Sequence, residues 1–228
     1  MKLFRICRAT LRDLPIVVRL IDDAAAWLRT KSTDQWRHPW PTLNDRNARL
    51  YEGLIRGKTW IVRDGDVVAA TVTVEEAANP KVWTELEADE PAVYVNRLVV
   101  HRRYAGLQLG AALLNWAGNQ AVQDYGARWI RIDVWTTNNA LHAYYEGQGF
   151  IRLQNCSDQT YPSGARFQRA TTVTGDYGGV ELITVHDAQS LTRSAATMQP
   201  VLLDEFARPG AAVYELSPSG REQMGSLT

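Results

Sequence analysis

From Val93 the chain reads VYVNRLVV, then RRYAGLQLG, then a stretch with Leu109, Leu113, Trp116, Ala117, Gln120 and Ala121 on one helical face. A run that is apolar on both faces is what a central buried strand requires. The spacing that follows predicts a helix to about Tyr125, with Gly126 just past its end. A strand that feeds a glycine-containing loop into a helix start aims several unpaired backbone N–H groups, and the positive end of the helix dipole, at one spot. Such a spot suits phosphate. Gly106 lets backbone approach without a Cβ in the way, and Arg102 and Arg103 can neutralise charge. Taken alone, the loop also reads as an ordinary strand-to-helix turn with solvated arginines.

The flanking pattern gives this unit a setting. Phe4 and Ile6 alternate as a short first strand, and Thr10 with Asp13 resembles a capping box opening a helix through Leu14, Val17, Val18, Ile21, Ala25 and Leu28. A loop, STDQWRHPWP, separates it from a second helix that Thr42 caps and Gly57 ends. TWIVR and VVAATVTV read as strands joined by a hairpin at Asp64-Gly65-Asp66. Asn79 to Pro91, with two prolines and EADE, reads as a surface loop. WIRIDVW predicts a strand, Asn139 to Gly147 a short helix, and GFIRL and ARFQRAT two further strands. Past Thr172 the pattern weakens, leaving VELITV and AAVYEL as possible added strands and a possible helix near Leu191 to Phe206.

Bulk properties exclude several classes of function. With 228 residues, 45% apolar, the chain can bury a sizeable core and is not disordered throughout. Lys+Arg and Asp+Glu stand at 25 each, so no global basic field gathers nucleic acid. No uncharged apolar run approaches the ~18 residues of a membrane span, and Arg8, Arg12 and Asp13 interrupt any secretory leader, making the cytoplasm the expected compartment. Cys7 and Cys156 have no metal or redox spacing, and His38, His101, His142 and His186 are scattered, so no metal site is expected.

A second group of residues gives the loop a chemical context. WIRIDVW, Asn138 and AYYEGQGF place Tyr144 and Tyr145 late on a short helix before Gly149 and Phe150. With these residues the chain resembles the GNAT family of acetyl-CoA-dependent N-acetyltransferases, over roughly Phe4 to Ala170 and most specifically from Val93 to Phe150. The resemblance implies an α+β (α/β) domain over residues 1–170, with a twisted mixed β-sheet flanked by helices and splayed central strands that bind acyl-CoA. Residues 171–228 would form a C-terminal extension, adding strands or a helix or making a dimer contact. It further implies that Leu98, Val99 and Val100 offer backbone groups to pantetheine. Arg102, Arg103, Ala105, Gly106, Leu107, Gln108, Leu109, Gly110 and Ala111 would surround the pyrophosphate. Asn138 matches the family's Asn after the fifth strand, and Tyr145 matches the Tyr that protonates the departing CoA thiolate, a transfer nearly balanced for a phenol of pKa near 10. Two positions depart from the family's loop: Ala105 stands where a polar donor is usual, and Gln108 where a glycine is usual.

The acceptor site is less legible. By resemblance it lies under the loop between the first two helices and the loop before the fourth strand, which supply Asp34, Trp36, Trp40, Trp83 and Glu85. Indoles beside carboxylates can hold a cationic amine, and they can equally fill the packing under a loop. Attack needs a carboxylate, a His or a relayed water to take the amine's proton, and Glu85 is a candidate catalytic carboxylate that also reads as a solvated loop residue; Asn96 and Asp133, on central strands, are further polar candidates. The absence of a Ser-His-Asp order favours direct transfer in a ternary complex. The expected reaction is acetyl transfer from acetyl-CoA to a primary amine of a small molecule. Alternatives are a peptide or protein acceptor, or a non-catalytic acyl-CoA sensor. The expected partners are a small-molecule amine or peptide, with no nucleic acid and no membrane, for a monomer or homodimer.

Overall fold

A computed structural model of the chain describes residues 2–174 and 178–185. The strands are β1 (Lys2–Arg8), β2 (Thr59–Asp64), β3 (Val67–Glu75), β4 (Ala92–Val100), β5 (Trp129–Val134), β6 (Ile151–Arg152), β7 (Ala165–Ala170) and β8 (Val180–Val185). They form one sheet in the order β6-β7-β5-β4-β3-β2-β1-β8. Only β4 with β5, and β1 with β8, pair in parallel; every other neighbour is antiparallel, which makes the sheet mixed. The helices are α1 (Leu14–Leu28), α2 (Leu43–Ile55), α3 (Glu85–Ala88), α4 (Leu109–Tyr125) and α5 (Asn139–Gly147).

Apolar stripes decide which face each helix covers. Val17, Leu20 and Ile21 of α1 and Leu50 and Leu54 of α2 pack with Ile61, Val68 and Val99 on one side of the sheet. Leu109, Leu113, Trp116 and Ala117 of α4 pack on the other side with Phe4, Ile6, Trp60, Val72 and Phe167. The result is the expected layered fold, with helices on both faces of a mixed sheet.

Local signals explain most boundaries. The Thr10–Asp13 capping box forms, though it opens a single 3-10 turn (Leu11–Asp13) that leads into α1. Thr42 caps α2 by accepting from Asp45 N, Gly65 takes φ +61° in the hairpin, and Gly126 ends α4 at φ +60°. The segment from Asn79 to Pro91 is not simply a surface loop. Val82 and Trp83 are buried, and Thr84 with Glu87 caps the one-turn α3. GFIRL supplies only the two-residue β6.

VELITV becomes β8, lying parallel to β1 from Lys2↔Val180 to Cys7↔Val185. Val180 is buried in the main core, and Trp116 Nε1 of α4 donates to Thr184 Oγ1 at 2.9 Å. AAVYEL and the possible helix near Leu191 to Phe206 lie outside the described residues. No helix among the described residues is long and apolar enough to cross a membrane.

If β8 belongs to the cooperative core, Val180→Ala should cost about 1–2 kcal/mol through the lost methyl burial. Urea denaturation followed by tryptophan fluorescence measures this, and an unchanged midpoint would place β8 outside the unit that unfolds.

Candidate active site

The sheet opens in its middle. β4 and β5 pair at Ala92↔Trp129, Val93↔Ile130 and Tyr94↔Arg131, and the pairing stops there. β4 nevertheless stays on β3 to Val100, while β5 stays on β7 to Val134. The cause lies in the β3–β4 register, which passes from Thr71↔Val99 to Thr73↔Asn96, so that Arg97 and Leu98 stand opposite Val72 alone. An extra residue bends the bulged strand and increases its local twist, which carries β4 away from β5. Arg97 takes φ +49°, left-handed backbone that costs a non-glycine residue roughly 1–2 kcal/mol. From Val95 onward the side of β4 facing β5 therefore has no strand partner, and its backbone groups are available to a ligand.

At the end of β4 the chain turns through a 3-10 turn (Arg102–Tyr104) into α4. His101 Nδ1 accepts from Arg103 N at 3.1 Å and sets that turn. Gly106 has φ +80°, and Gln108, the last residue before α4, has φ +59°. A glycine would meet that second requirement without strain, which is a physical reason for a loop of this shape to prefer glycine where this chain has Gln108. Thr42, Thr84 and Asn138 give α2, α3 and α5 side-chain caps, whereas Gln108 gives α4 none. The first N–H groups of α4, from Leu109, Gly110 and Ala111, are thus donors without a side-chain acceptor, as an anion site requires. Arg102 does not turn toward them; its guanidinium stacks 4.0 Å from the Trp27 ring centroid. Gln108 Cγ would stand 3.3 Å from a Cβ placed on Gly178, on the approach to β8.

Beside the opening lies a cleft of about 1050 Å³, lined among others by Asn96, Arg97 and Leu98 of β4, Asp133 of β5, Tyr145 of α5 and Tyr161. Tyr145 is 8% exposed and packs edge-on against Phe150 at 5.6 Å. Burial pushes its phenol well above the usual value, and the neighbouring Tyr144 and Asp133 add to the shift. Tyr144, the next residue back, points elsewhere. Its Oη would stand 2.7 Å from a Cβ placed on Gly110, so Gly110 is where α5 meets the start of α4. Arg169 holds these helices in register, donating from Nη1 to Gln148 O (2.8 Å) and from Nη2 to Leu114 O (3.1 Å). It lies in a strand with no charge partner in sequence, and nothing in the spacing distinguishes it.

Asp133 is the carboxylate that faces this space from a central strand. Burial lifts its pKa to about 6, against the pull of Arg97 and a hydrogen bond from Tyr161. Tyr161 Oη donates to Asp133 Oδ2 at 3.5 Å and accepts from Asn79 Nδ2 at 3.1 Å. Desolvation in turn weakens the charge preference of Arg97, helped by Arg49 and opposed by Glu75, Tyr161 and Asp133.

The other expected residues divide into those the cleft gathers and those it does not. Trp36, Trp40, Trp83 and Asn96 line the cleft with Asp133. Trp40 meets Tyr161 edge-on at 5.1 Å, and buried Trp83 is flanked by Arg131 (5.2 Å) and Arg166 (5.3 Å). Asp34 is a tether. It accepts hydrogen bonds from Trp135 Nε1 (2.9 Å) and Thr137 Oγ1, which hold its carboxyl below the usual range and pin the α1–α2 loop to the end of β5. Asn138 is committed similarly, capping α5 at Leu141 N (3.1 Å) and donating to Gln35 Oε1 (2.5 Å). Glu85 is exposed on the first turn of α3 and is not among the cleft residues. Of the two candidate carboxylates, Asp133 lines the cleft and Glu85 does not. Gln35, Arg49, Tyr161 and Asn79 enter the site from loops and a helix face that carry no motif.

The split parallel pair thus leads into an uncapped helix start, and comparison with known proteins identifies the family in which this chain falls. Residues 22–150 match the model of the acetyltransferase (GNAT) family. The chain is 30% identical over 152 residues to the uncharacterized N-acetyltransferase YesJ of Bacillus subtilis (strain 168), covering 64% of this chain and 81% of that protein. Among solved structures, a GNAT-family acetyltransferase from Listeria monocytogenes 4b F2365 superposes with a TM-score of 0.59 at 20% identity, covering 73% of this chain and 94% of the other. The PaiA N-acetyltransferase of Thermoplasma acidophilum, in complex with coenzyme A, does so with a TM-score of 0.57 at 13% identity, covering 75% and 99%. The chain belongs to the GNAT family of acetyltransferases.

The Gly110–Tyr144 contact makes a prediction of its own. Gly110→Ala should lose about 1–3 kcal/mol of stability from overpacking, and adding Tyr144→Phe, which removes the obstructing oxygen, should recover most of it. A double-mutant cycle by denaturant unfolding measures the coupling, and strictly additive effects would show that this approach does not exist.

Proposed function

We propose that the chain transfers the acetyl group of acetyl-CoA to a primary amine of a small molecule by direct attack in a ternary complex. The observation that carries this reading is the convergence, on one opening in the sheet, of the free side of β4, the uncapped start of α4, the Tyr145 phenol and the Asp133 carboxylate. Leu98 to Val100 would pair through their backbone with the pantetheine amides, and the amides from Gly106 to Ala111 would receive the pyrophosphate. Acetyl-CoA, when bound, supplies a thioester and a thiolate leaving group.

The two ionisable groups suit opposite tasks. An amine arrives protonated and must lose a proton to attack, and Asp133, with a pKa of about 6, is ionised at neutral pH yet more basic than an ordinary carboxylate. Tyr145 stays protonated across the physiological range because burial disfavours its anion. The same burial makes it a weaker acid than a free phenol, so its proton moves only as the carbon–sulfur bond breaks and negative charge gathers on sulfur. A cleft of about 1050 Å³ with mixed polar and aromatic walls is of a size for a small acceptor beside the end of pantetheine.

With an acceptor amine that titrates well above neutrality, kcat/KM should fall as pH drops through about 6, where Asp133 takes up a proton. Asp133→Asn should abolish that limb and lower kcat, and Tyr145→Phe should lower kcat roughly 10²-fold or more with little change in acetyl-CoA affinity. A free-thiol release assay across pH, with calorimetry for CoA, tests both. An unchanged kcat in either variant removes that residue from the mechanism.

A further inference from the structure

The cleft is richer in cations than an amine site needs. Seven Arg and Lys side chains line it against four carboxylates. An ammonium group alone would be repelled by such a wall. Part of the excess is satisfied internally. Arg46 pairs with Asp22 at 2.5 Å, and Arg56 Nη2 lies 3.3 Å from Glu75 Oε2. Arg49 donates through Nη2 to Trp40 O.

Arg97 is placed differently. Among the described residues its side chain makes no hydrogen bond and no ion pair, although it faces the cleft and is partly buried there. It also occupies the left-handed position of the β4 bulge. A strained residue in a cleft invites a functional account, and a desolvated charge is costly until a ligand supplies its counterpart. Asp133 and Arg97 attract one another across the opening without closing into an ion pair. Two opposite charges held apart in one cleft match a ligand that carries both.

Resting on the acetyl-transfer reading above, we infer that the acceptor is an amino carboxylic acid, whose carboxylate is taken by Arg97 while its amine lies toward Asp133. Arg49, from α2, adds positive potential on the carboxylate side, and the Trp40–Tyr161 pair offers apolar wall to the acceptor's side chain. Polyamines, which carry no anionic group, fit this charge pattern poorly.

The test uses the full chain with acetyl-CoA and a panel of free amino acids, each paired with its methyl ester and its decarboxylated amine. For the best acceptor, the acid should exceed both analogues by roughly 10- to 100-fold in kcat/KM, mostly through KM, as expected for loss of a charge-assisted hydrogen bond. Arg97→Gln should bring the acid down toward the wild-type value for its ester, and Arg97→Lys should restore part of the difference. Calorimetric CoA binding serves as the check on folding; if Arg97→Gln does not fold, the wild-type ratio decides alone. Esters or decarboxylated amines used as well as the acid would overturn the inference, as would an Arg97→Gln variant that binds CoA and keeps the preference. Absence of amine-stimulated thiol release with every compound is a separate outcome, and it would overturn the acetyl-transfer reading together with this one.

Discussion

One extra residue in β4 governs the rest of this site. Because Arg97 and Leu98 share a single partner on β3, β4 twists away from β5 after Tyr94 and the sheet divides without losing its outer pairings. An interior strand edge is ordinarily a liability, since unpaired backbone groups buried away from water cost free energy. Here both strands remain anchored on their far sides, by β3 and by β7, so the opening is held by the sheet rather than by loops. The same bulge puts a guanidinium into the cleft it creates. Backbone geometry and the charge of the cleft wall thus share one cause.

The surrounding packing maintains two groups in states that water would not favour. Asp133 is more basic than a solvated carboxylate because its strand is central, and Tyr145 is a weaker acid than a solvated phenol because α5 is clamped onto the core. Arg169, through Gln148 O and Leu114 O, fixes α5 against α4, and Asp34 and Gln35 fasten the α1–α2 loop over the end of β5. These contacts set where the phenol and the cleft wall stand.

The parts legible in the sequence were those written locally. Period and punctuation placed β4, α4, β5 and α5, and Thr42 and Gly126 marked helix ends where the structure has them. The GNAT order of elements followed from these. What the sequence did not announce depends on register and on contacts between distant segments. Nothing in VYVNRLVV marks Arg97 as the bulged residue, because the shift exists only relative to β3. Glu85 was a candidate catalytic carboxylate by position, yet whether a loop carboxylate turns inward depends on how α3 is capped, and Thr84 with Glu87 leaves Glu85 exposed. Asn138 and Asp34 were legible as polar residues in the right neighbourhood but not as partners of Gln35 and Trp135, roughly a hundred residues away. Gln108 stood out as a departure, and its backbone conformation explains what the departure costs.

The central claim is that the opened side of β4 and the uncapped start of α4 form one acyl-CoA slot. Hydrogen–deuterium exchange with and without coenzyme A tests it most directly. The account predicts slower exchange in two stretches, Leu98 to Val100 and Leu109 to Ala111, with β1 and β2 unchanged. Coenzyme A that binds while those two stretches exchange as before, or that protects a different part of the molecule, would contradict it.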